Sequence, residues 1–290
     1  MPSFEYLKPN SMDEAISLLE SHGEKAKYIA GGTDVIVKIK EKKIAPQYLI
    51  SLRHLPELSY IRRDPEGILR IGGLTTHRML EKSPLIRQHY PVITDAVENI
   101  GSVQIRNVAT IGGNICNAVP SADGVIPLLT LGTHLHLVGP KGKRTLPLKS
   151  FFLGPGQTLM EHGEILNEFF IPPLLPNSSG AYIKHTRREA MELPILGVGM
   201  VLSLAEDLKT CLKVRIGLGV AAPTPIRAYL AEECLTGKEV NQQSLDETAR
   251  IAEKETKMRD SIRGQAWYRR EMVGVLISRL GVRCLERINK

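Results

Sequence analysis

The sequence predicts an α+β protein made of two domains. Apolar segments with the alternation of β-strands lie between segments whose apolar residues have helical spacing. At ~100–200 residues per domain, a chain of 290 residues forms two domains or one large one. The best boundary is the segment 172–180, where three prolines together with Asn, Ser and Gly disfavour a core element. We therefore expect a first domain at 1–176 and a second at 177–290.

Composition and charge exclude several classes of protein. Hydrophobic residues make up 42% and charged residues 24%, a globular balance that argues against intrinsic disorder. No apolar run approaches the ~18 residues that span a bilayer, and the N-terminus lacks the pattern of a secretory signal, so we expect a cytoplasmic protein. The formal charge of +7 suits an anionic cofactor or an acidic partner as well as nucleic acid. Because only 5% of residues are aromatic and the basic residues are spread out, nucleic-acid binding is disfavoured.

The positions of cysteine and histidine predict no metal site. His134 and His136 would share one face of a strand, but no carboxylate or third histidine lies near them in the sequence. The chain also lacks a GxSxG elbow, a Walker P-loop and a Rossmann GxGxxG motif. Four cysteines are too widely spaced for a CxxC pair and are interpreted as reduced core thiols: Cys116, Cys211, Cys234 and Cys284.

The first half of the chain mixes helices and strands. Ser11 and Glu14 have the spacing of a capping box, which predicts the start of a helix. The pair Thr75-Thr76 can cap a helix from His77, and Gly101 is placed to end a helix over 91–100. An amphipathic stretch is expected at 35–40, and strands are expected at 27–30, 48–52 and 69–71.

The second half continues this mixture. A helix-like run follows at 125–129, and residues 134–138 and 144–148 predict a hairpin across Pro140-Lys141-Gly142-Lys143. Beyond the proposed boundary we expect strands near 200–205 and 211–220, then helices over 244–257 and 267–285.

Two glycine-rich turns share one pattern, in which an apolar stretch leads into two adjacent glycines followed by polar residues. Adjacent glycines allow φ > 0 and leave no Cβ to obstruct a bulky anion, so successive backbone N–H groups can converge on phosphate oxygens. Two such turns are what the pyrophosphate of a dinucleotide needs. From the residues alone, tight turns of purely structural role remain an equal alternative. The turns are Ala30-Gly31-Gly32-Thr33-Asp34 and Thr110-Ile111-Gly112-Gly113-Asn114.

Ordered motifs resemble those of one protein family along essentially the whole chain. The first turn resembles A-G-G-x-[ST/D], and the segment from Gln104 to Asn114 resembles Q-[IV]-R-N-x-[AG]-T-[IV]-G-G-[ND]. Asp123 lies nine residues beyond Asn114, where the family often carries an acidic residue. These are motifs of the FAD-binding medium subunits of molybdenum hydroxylases, a family that includes xanthine, carbon monoxide and nicotinate dehydrogenases. Further similar segments are Gly163–Leu166, Tyr182–Arg188, Gly219–Ala228 and Ile262–Arg269.

The resemblance implies a two-part α+β FAD-binding domain of the vanillyl-alcohol-oxidase-like (PCMH) type. A smaller α+β C-terminal domain of the carbon monoxide dehydrogenase flavoprotein type would follow it. The two turns would clamp the FAD pyrophosphate, and Asp123 would accept hydrogen bonds from ribose or ribityl hydroxyls. Leu166 would contact the flavin, while Lys184 is either near the flavin N1/O2 edge or a solvated surface lysine. The implied cofactor-binding residues are Ile29, Ala30, Gly31, Gly32, Thr33, Asp34, Val35, Thr110, Ile111, Gly112, Gly113, Asn114, Asp123, Leu166 and Lys184.

The resemblance also implies a function in electron transfer within a larger complex. A large partner subunit would carry molybdopterin, a small partner would carry two 2Fe–2S clusters, and FAD in this chain would pass electrons to NAD+ or another acceptor. No catalytic acid or base is expected in this chain. Glu192-Leu193-Pro194 departs from the family's usual Asp-Ile-Ala-like stretch, which leaves the electron acceptor open. The alternative is a stand-alone FAD-dependent oxidoreductase, although the chain lacks room for a large substrate-binding cap and an obvious histidine for covalent flavin attachment.

Overall fold

The computed structural model describes residues 2–290, and its N-terminal part contains a small parallel sheet. The strands lie in the order β1 (Glu5–Leu7), β3 (Tyr48–Ser51) and β2 (Ala26–Ile29). Because parallel neighbours need a crossover connection, a helix links each consecutive pair: α1 (Met12–His22) and α2 (Val35–Lys40). Apolar side chains of α1, β3 and the loop after it form a small core, to which Ala26, Val138 and Ile165 also contribute.

A five-stranded antiparallel sheet forms the centre of the first domain. Its strand order is β4 (Ile61–Arg63), β5 (Leu69–Gly72), β10 (Ile165–Ile171), β6 (His134–Gly139) and β7 (Gly142–Pro147). The short hairpin of β8 (Phe152–Gly154) and β9 (Gln157–Thr158) follows β7. Between β5 and β6 the chain forms six short helices that share a hydrophobic core with the sheet: α3 (His77–Lys82), α4 (Pro84–His89), α5 (Pro91–Val97), α6 (Val103–Val108), α7 (Ile111–Cys116) and α8 (Val125–Thr130).

The C-terminal part is a four-stranded antiparallel sheet backed by helices. The strands lie in the order β11 (Ser178–His185), β12 (Leu196–Leu204), β13 (Cys211–Gly219) and β14 (Ile226–Arg227). Helices α9 (Tyr229–Leu235), α10 (Gln242–Lys254) and α11 (Ala266–Ile288) enclose a second hydrophobic core with the strands. Across residues 2–290, none of the helices has both the length and the apolar character needed to cross a membrane.

The opposite face of the C-terminal sheet packs on α8 through glycines. A Cβ added at Gly199 of β12 would lie 2.8 Å from Ile126 Cγ2, and one added at Gly217 of β13 would lie 2.9 Å from Thr130 Cγ2. Real Cβ contacts are longer than this, so only glycine lets α8 lie directly on the two strands. Gly199 and Gly217, which we name the glycine stripe, determine how closely the two halves of the molecule approach each other.

A buried carboxylate also joins the two halves. Asp95 of α5 accepts hydrogen bonds from Arg287 of α11, at 2.8 and 2.9 Å, and from the backbone N–H of Tyr182, at 3.1 Å. Arg283 lies 3.3 Å from the same carboxylate. Both carboxylate oxygens are paired with groups of the C-terminal part, so the negative charge of Asp95 is compensated at the seam between the two halves.

Several predicted elements are confirmed with changes in detail. The helix from His77 is α3, and Thr76 Oγ1 accepts the N–H of Met79 at 3.2 Å as its cap. Ser11 likewise accepts the N–H of Glu14, but the Glu14 carboxylate accepts the N–H of Asn10, so the reciprocal half of the capping box is wrong. The predicted hairpin is β6 and β7, whose connection is shorter than expected because Gly139 already pairs with Gly142.

The prediction that 172–180 stays outside core elements is wrong for its last three residues. Ser178, Ser179 and Gly180 begin β11, and Ser179 is buried. A Cβ at Gly180 would lie 2.9 Å from the carbonyl oxygen of Met200 and 3.1 Å from Val92 Cβ. The small residues that indicated a linker are therefore the ones that allow this strand to pack between β12 and α5.

Candidate functional site

The first glycine-rich turn contains a run of backbone N–H groups without acceptors. β2 ends at Ile29 and α2 begins at Val35. Six consecutive N–H groups, from Ala30 to Val35, donate to no acceptor in the described chain, residues 2–290. Gly32 has a φ of +77°, a left-handed conformation of the kind that turns neighbouring N–H groups toward one side. The turn is therefore suited to bind an anion through its backbone.

The two glycines of this turn are required for different reasons. A Cβ at Gly31 would lie only 2.1 Å from the carbonyl oxygen of Val108, so glycine allows the turn to pack against the segment just before the second turn. At Gly32 the positive φ itself excludes most side chains. Gly31 thus sets the position of the turn, and Gly32 sets its conformation.

The second glycine-rich turn is the first turn of α7, and its backbone donors are already used. The N–H groups of Ile111 and Gly112 donate to the carbonyl oxygens of Thr75 and Gly73, both at 2.9 Å. Those of Gly113 and Asn114 donate to the hydroxyl and carbonyl oxygens of Thr110, at 3.1 and 3.0 Å. The expectation that both turns offer converging N–H groups is therefore wrong for this one, because the adjoining loop and the Thr110 cap satisfy them.

The expected positive φ is also absent from this turn, since Gly112 and Gly113 are helical. A Cβ at Gly112 would lie 2.4 Å from the carbonyl oxygen of Gly73, so close packing requires glycine there. A Cβ at Gly113 would meet only Thr110 Oγ1 within 4 Å, at 3.0 Å. Gly113 therefore presents open space beside the Thr110 hydroxyl, whose hydrogen remains available because its oxygen acts as acceptor in the cap.

Polar contacts hold the two turns together. Asn117, which follows α7, donates through Nδ2 to Asp34 Oδ1 at 2.8 Å. Its amide oxygen accepts a hydrogen bond from Lys38 Nζ of α2 at 2.7 Å. Asn117 was not identified from the sequence, and no local pattern marks it, because its partners lie more than 70 residues away.

Asp123 and Lys184 meet in a buried polar cluster at the start of α8. Lys184 Nζ lies 2.9 Å from Asp123 Oδ2 and donates to the carbonyl oxygen of Asn99 at 2.9 Å. The hydroxyl of Tyr182 donates to Asp123 Oδ1 at 2.6 Å. Only 8% of the Lys184 side chain is exposed, so it is not a solvated surface lysine. Burial raises the pKa of Asp123, and Lys184 and Tyr182 act in the opposite direction by stabilising its charged form.

The cluster is continuous with the second turn. A Cβ at Gly124 would lie 2.6 Å from the amide oxygen of Asn114. That oxygen is buried and has no hydrogen-bond partner within residues 2–290. Buried polar atoms are nearly always hydrogen-bonded, so this unpartnered amide oxygen is an exception within the cluster.

Leu166 is connected to the site through its backbone and not through its side chain. It is 6% exposed and its side chain belongs to the core of the first domain. Its carbonyl oxygen lies 2.0 Å from the position of a Cβ on Gly73, the residue that accepts the N–H of Gly112. The sequence reasoning missed this supporting loop, although Gly72-Gly73 repeats the signal of a strand ending in two glycines.

The first turn and the cluster around Lys184 offer two different kinds of chemistry. The backbone run from Ala30 to Val35 can bind the oxygens of a pyrophosphate. The cluster around Lys184 provides a buried ammonium that stabilises negative charge. A molecule with both a pyrophosphate and a ring that becomes anionic on reduction, such as FAD, matches these two kinds of chemistry.

Comparisons with known proteins identify the family of this chain. A family model described as the FAD binding domain in molybdopterin dehydrogenase matches residues 2–174, and one described as the CO dehydrogenase flavoprotein C-terminal domain matches residues 181–282. The chain is 33% identical over 276 residues to the xanthine dehydrogenase FAD-binding subunit of Escherichia coli O157:H7, covering 95% of this chain and 94% of the relative. It is 32% identical over 278 residues to the carbon monoxide dehydrogenase medium chain of Hydrogenophaga pseudoflava, covering 96% of each.

Structural comparison gives the same result. A chain of the carbon monoxide dehydrogenase from Hydrogenophaga pseudoflava that lacks the Mo-pyranopterin moiety superposes with a TM-score of 0.93 at 32% identity. The superposition covers 99% of this chain and 98% of that one. Sequence, fold and the order of the two domains therefore agree over nearly the whole length. The chain belongs to the family of FAD-binding medium subunits of the xanthine dehydrogenase and carbon monoxide dehydrogenase type.

Proposed function

We propose that this chain is the FAD-carrying electron-transfer subunit of a molybdopterin-dependent hydroxylase or dehydrogenase. It would take electrons from 2Fe–2S clusters of a small partner subunit and pass them to NAD+ or another acceptor. The observation that carries the proposal is the run of unpaired N–H groups from Ala30 to Val35 beside the open face of Gly113. Such a run binds a pyrophosphate without any basic side chain.

The residues named from the sequence take different parts in this proposal. The first turn holds the pyrophosphate through its backbone, with the Thr33 side chain alongside it. In the second turn, the Thr110 hydroxyl and the Asn114 amide contact the cofactor across Gly113. Ile29 and Val35 flank the first turn, and Ile111 and Gly112 fix the second turn to its supporting loop.

Asp123 and Lys184 provide the electrostatics of the site. Each oxygen of Asp123 accepts one hydrogen bond from the chain and retains a second lone pair for a ribose or ribityl hydroxyl. Lys184, held by Asp123 and Asn99, stabilises negative charge on the flavin ring, while Leu166 supports the loop beneath it. When bound, FAD would supply the capacity to take up electrons singly and release them in pairs. The chain's residues bind and orient it, and no acid–base step is assigned to them.

The partners in the proposal are a large subunit that carries molybdopterin and a small subunit with two 2Fe–2S clusters. The name of the Hydrogenophaga relative, a medium chain, supports a complex with larger and smaller chains. In this arrangement the substrate binds to another polypeptide, and this chain passes the electrons to the final acceptor.

Co-expression tests this function. The isolated chain should show no turnover with aromatic heterocycles or aldehydes, because hydride transfer needs a substrate pocket and a base that this site does not provide. Activity should appear when the chain is produced with its molybdopterin and 2Fe–2S partners, and the three chains should co-purify. Flavin reduction by an organic substrate in the isolated chain would instead favour a stand-alone FAD-dependent oxidoreductase.

A further inference from the structure

A cavity lies at the seam between the two halves, at the opposite end of α8 from Asp123. Its volume is about 210 Å³, and its walls come from both halves. His134 of β6 and Lys149, just after β7, line it from the first domain. Arg215 of β13 and Arg227 of β14 line it from the C-terminal sheet. We name it the seam pocket.

Arg215 brings positive charge into the seam pocket. Its Nη1 donates to the carbonyl oxygen of Leu131 at 3.0 Å, at the C-terminal end of α8. Its Nε and Nη2 find no hydrogen-bond partner, and its guanidinium has no carboxylate within salt-bridge distance in residues 2–290. Gly132 makes room for it, since a Cβ there would lie 2.9 Å from the guanidinium carbon and both terminal nitrogens.

Other cations surround this guanidinium. Arg227 lies 4.7 Å above the ring of Tyr229, and the ammonium of Lys149 lies 6.0 Å from the same ring. Lys213 is two residues from Arg215 on β13, so it points to the same face of the sheet. The pKa of Lys213 is lowered, and Arg215 is the largest cause. The pKa of Arg215 is also lowered, mainly by burial and to a smaller extent by Arg227. The positive charges of Lys213, Arg215 and Arg227 therefore repel one another.

Too few carboxylates lie near the seam pocket to neutralise this charge. Glu232 forms a two-point ion pair with Arg227 and also accepts the N–H of Ile216 at 2.9 Å. Lys149, Lys213 and Arg215 have no ion-pair partner in the part of the chain that the structure describes. His134 Nδ1 is buried there without a hydrogen-bond partner. Repulsion between a partly buried guanidinium and the cations around it is relieved by a bound anion.

We propose that the seam pocket binds a small phosphate-type oxyanion. A guanidinium with unpaired nitrogens matches the geometry of phosphate oxygens. The volume is below the ~300–1,000 Å³ of pockets for drug-sized ligands, which favours free phosphate or the phosphate end of a metabolite. Because Lys149 and Arg215 belong to different halves, the anion joins the first domain to the C-terminal sheet. This site is separate from the glycine-rich turns and independent of FAD.

Titration with inorganic phosphate at constant ionic strength tests the proposal, with and without excess FAD. We expect one saturable phosphate per chain by calorimetry, and a higher unfolding temperature that depends on phosphate concentration. Lys149→Gln and Arg215→Gln should each weaken binding about 10-fold, the loss typical of one charged hydrogen-bond partner. Lys143→Gln, an exposed lysine of β7 outside the pocket, is the matched control and should bind as the unaltered chain does.

Lys149→Gln is the decisive variant for the seam pocket. Because Lys149 is exposed, this variant should fold even if Arg215→Gln does not. Its phosphate affinity is therefore sufficient to test the proposal. A parallel titration with ribose 5-phosphate shows whether the phosphate end of a metabolite binds in addition to free phosphate, and the proposal requires saturable binding of inorganic phosphate itself. Absence of saturable phosphate binding, or binding that Lys149→Gln leaves unchanged, would overturn the proposal.

Discussion

Individual glycines determine the packing and the backbone conformation of the two turns. Gly31 and Gly112 are packed against carbonyl oxygens of neighbouring segments, which would lie 2.1 and 2.4 Å from an added Cβ. Gly32 adopts a positive φ, and Gly113 borders open space. Packing, backbone conformation and access to a ligand are therefore three separate requirements, and substitution at each position has a different consequence.

Substitution at Gly113 should affect binding more than folding. Gly113→Ala and then Gly113→Val extend progressively into the open space, so the affinity for FAD should fall stepwise and by at least about 10-fold for Val. Gly31→Ala is the contrasting variant, because overpacking there should lower the free energy of unfolding by about 1–3 kcal/mol. Flavin titration and urea denaturation measure the two effects. Unaltered FAD affinity in Gly113→Val would show that the second turn is purely structural.

His77 should make the protein sensitive to acid. It is fully buried at the start of α3, and neither ring nitrogen has a hydrogen-bond partner within residues 2–290. Burial, with a smaller contribution from Arg106, lowers its pKa to about 4 from an ordinary value near 6.5. The unfolded chain therefore binds a proton more readily, and about 3 kcal/mol of stability is lost as the pH falls from about 6.5 to about 4.

Replacing this histidine should remove that dependence. Between pH 6.5 and 4, the free energy of unfolding should fall by about 3 kcal/mol less in His77→Leu than in the unaltered chain. His89→Leu removes an exposed histidine and is the matched control. Equal pH dependence in His77→Leu and in the unaltered chain would contradict this assignment.

At the scale of elements, α8 connects the two proposed sites. Asp123 precedes its first turn, Arg215 contacts carbonyl oxygens at its last turn, and the glycines of β12 and β13 lie beneath it. A carboxylate at the start and a cation at the end both complement the helix dipole. The position of this short helix therefore depends on the sheet of the other domain.

A double-mutant cycle tests this packing. Gly199→Ala places a methyl group 2.8 Å from Ile126 Cγ2 and should cost about 1–3 kcal/mol of unfolding free energy. Ile126→Ala alone should cost about 2–5 kcal/mol because it leaves a cavity. In the double variant the cavity accepts the new methyl group, so the combined loss should be smaller than the sum by more than about 0.5 kcal/mol. Additive losses would show that α8 does not rest on the glycine stripe.

Local patterns predicted the elements whose signals lie within a few residues. The Thr76 cap, the amphipathic α10 and α11, and the β6–β7 hairpin follow from spacing and capping residues. Long-range contacts explain the failures. The second turn loses its free N–H groups to Thr75 and Gly73, and β11 begins inside an apparent linker because α5 covers it. The bond from Asn117 to Asp34 has no local signal.

At the scale of the whole molecule, the two halves are joined by the glycine stripe, Asp95 and the seam pocket. We propose that the domains divide after Pro176, and that they nevertheless unfold together because each half covers an apolar face of the other. The core of the first domain includes Tyr182 and Val201 of the C-terminal sheet, which supports this coupling.

Flavin binding by the isolated chain is the most direct measurement of the function proposed for the glycine-rich turns. Titration with FAD and with riboflavin compares ligands that share the flavin ring and the ribityl chain, of which only FAD carries the pyrophosphate and the adenosine. We expect one FAD per chain, released on denaturation, and riboflavin bound at least about 100-fold more weakly, since it has neither the pyrophosphate that contacts the backbone from Ala30 to Val35 nor the adenosine. A chain that cannot be reconstituted with FAD, or that binds riboflavin as tightly as FAD, would contradict it.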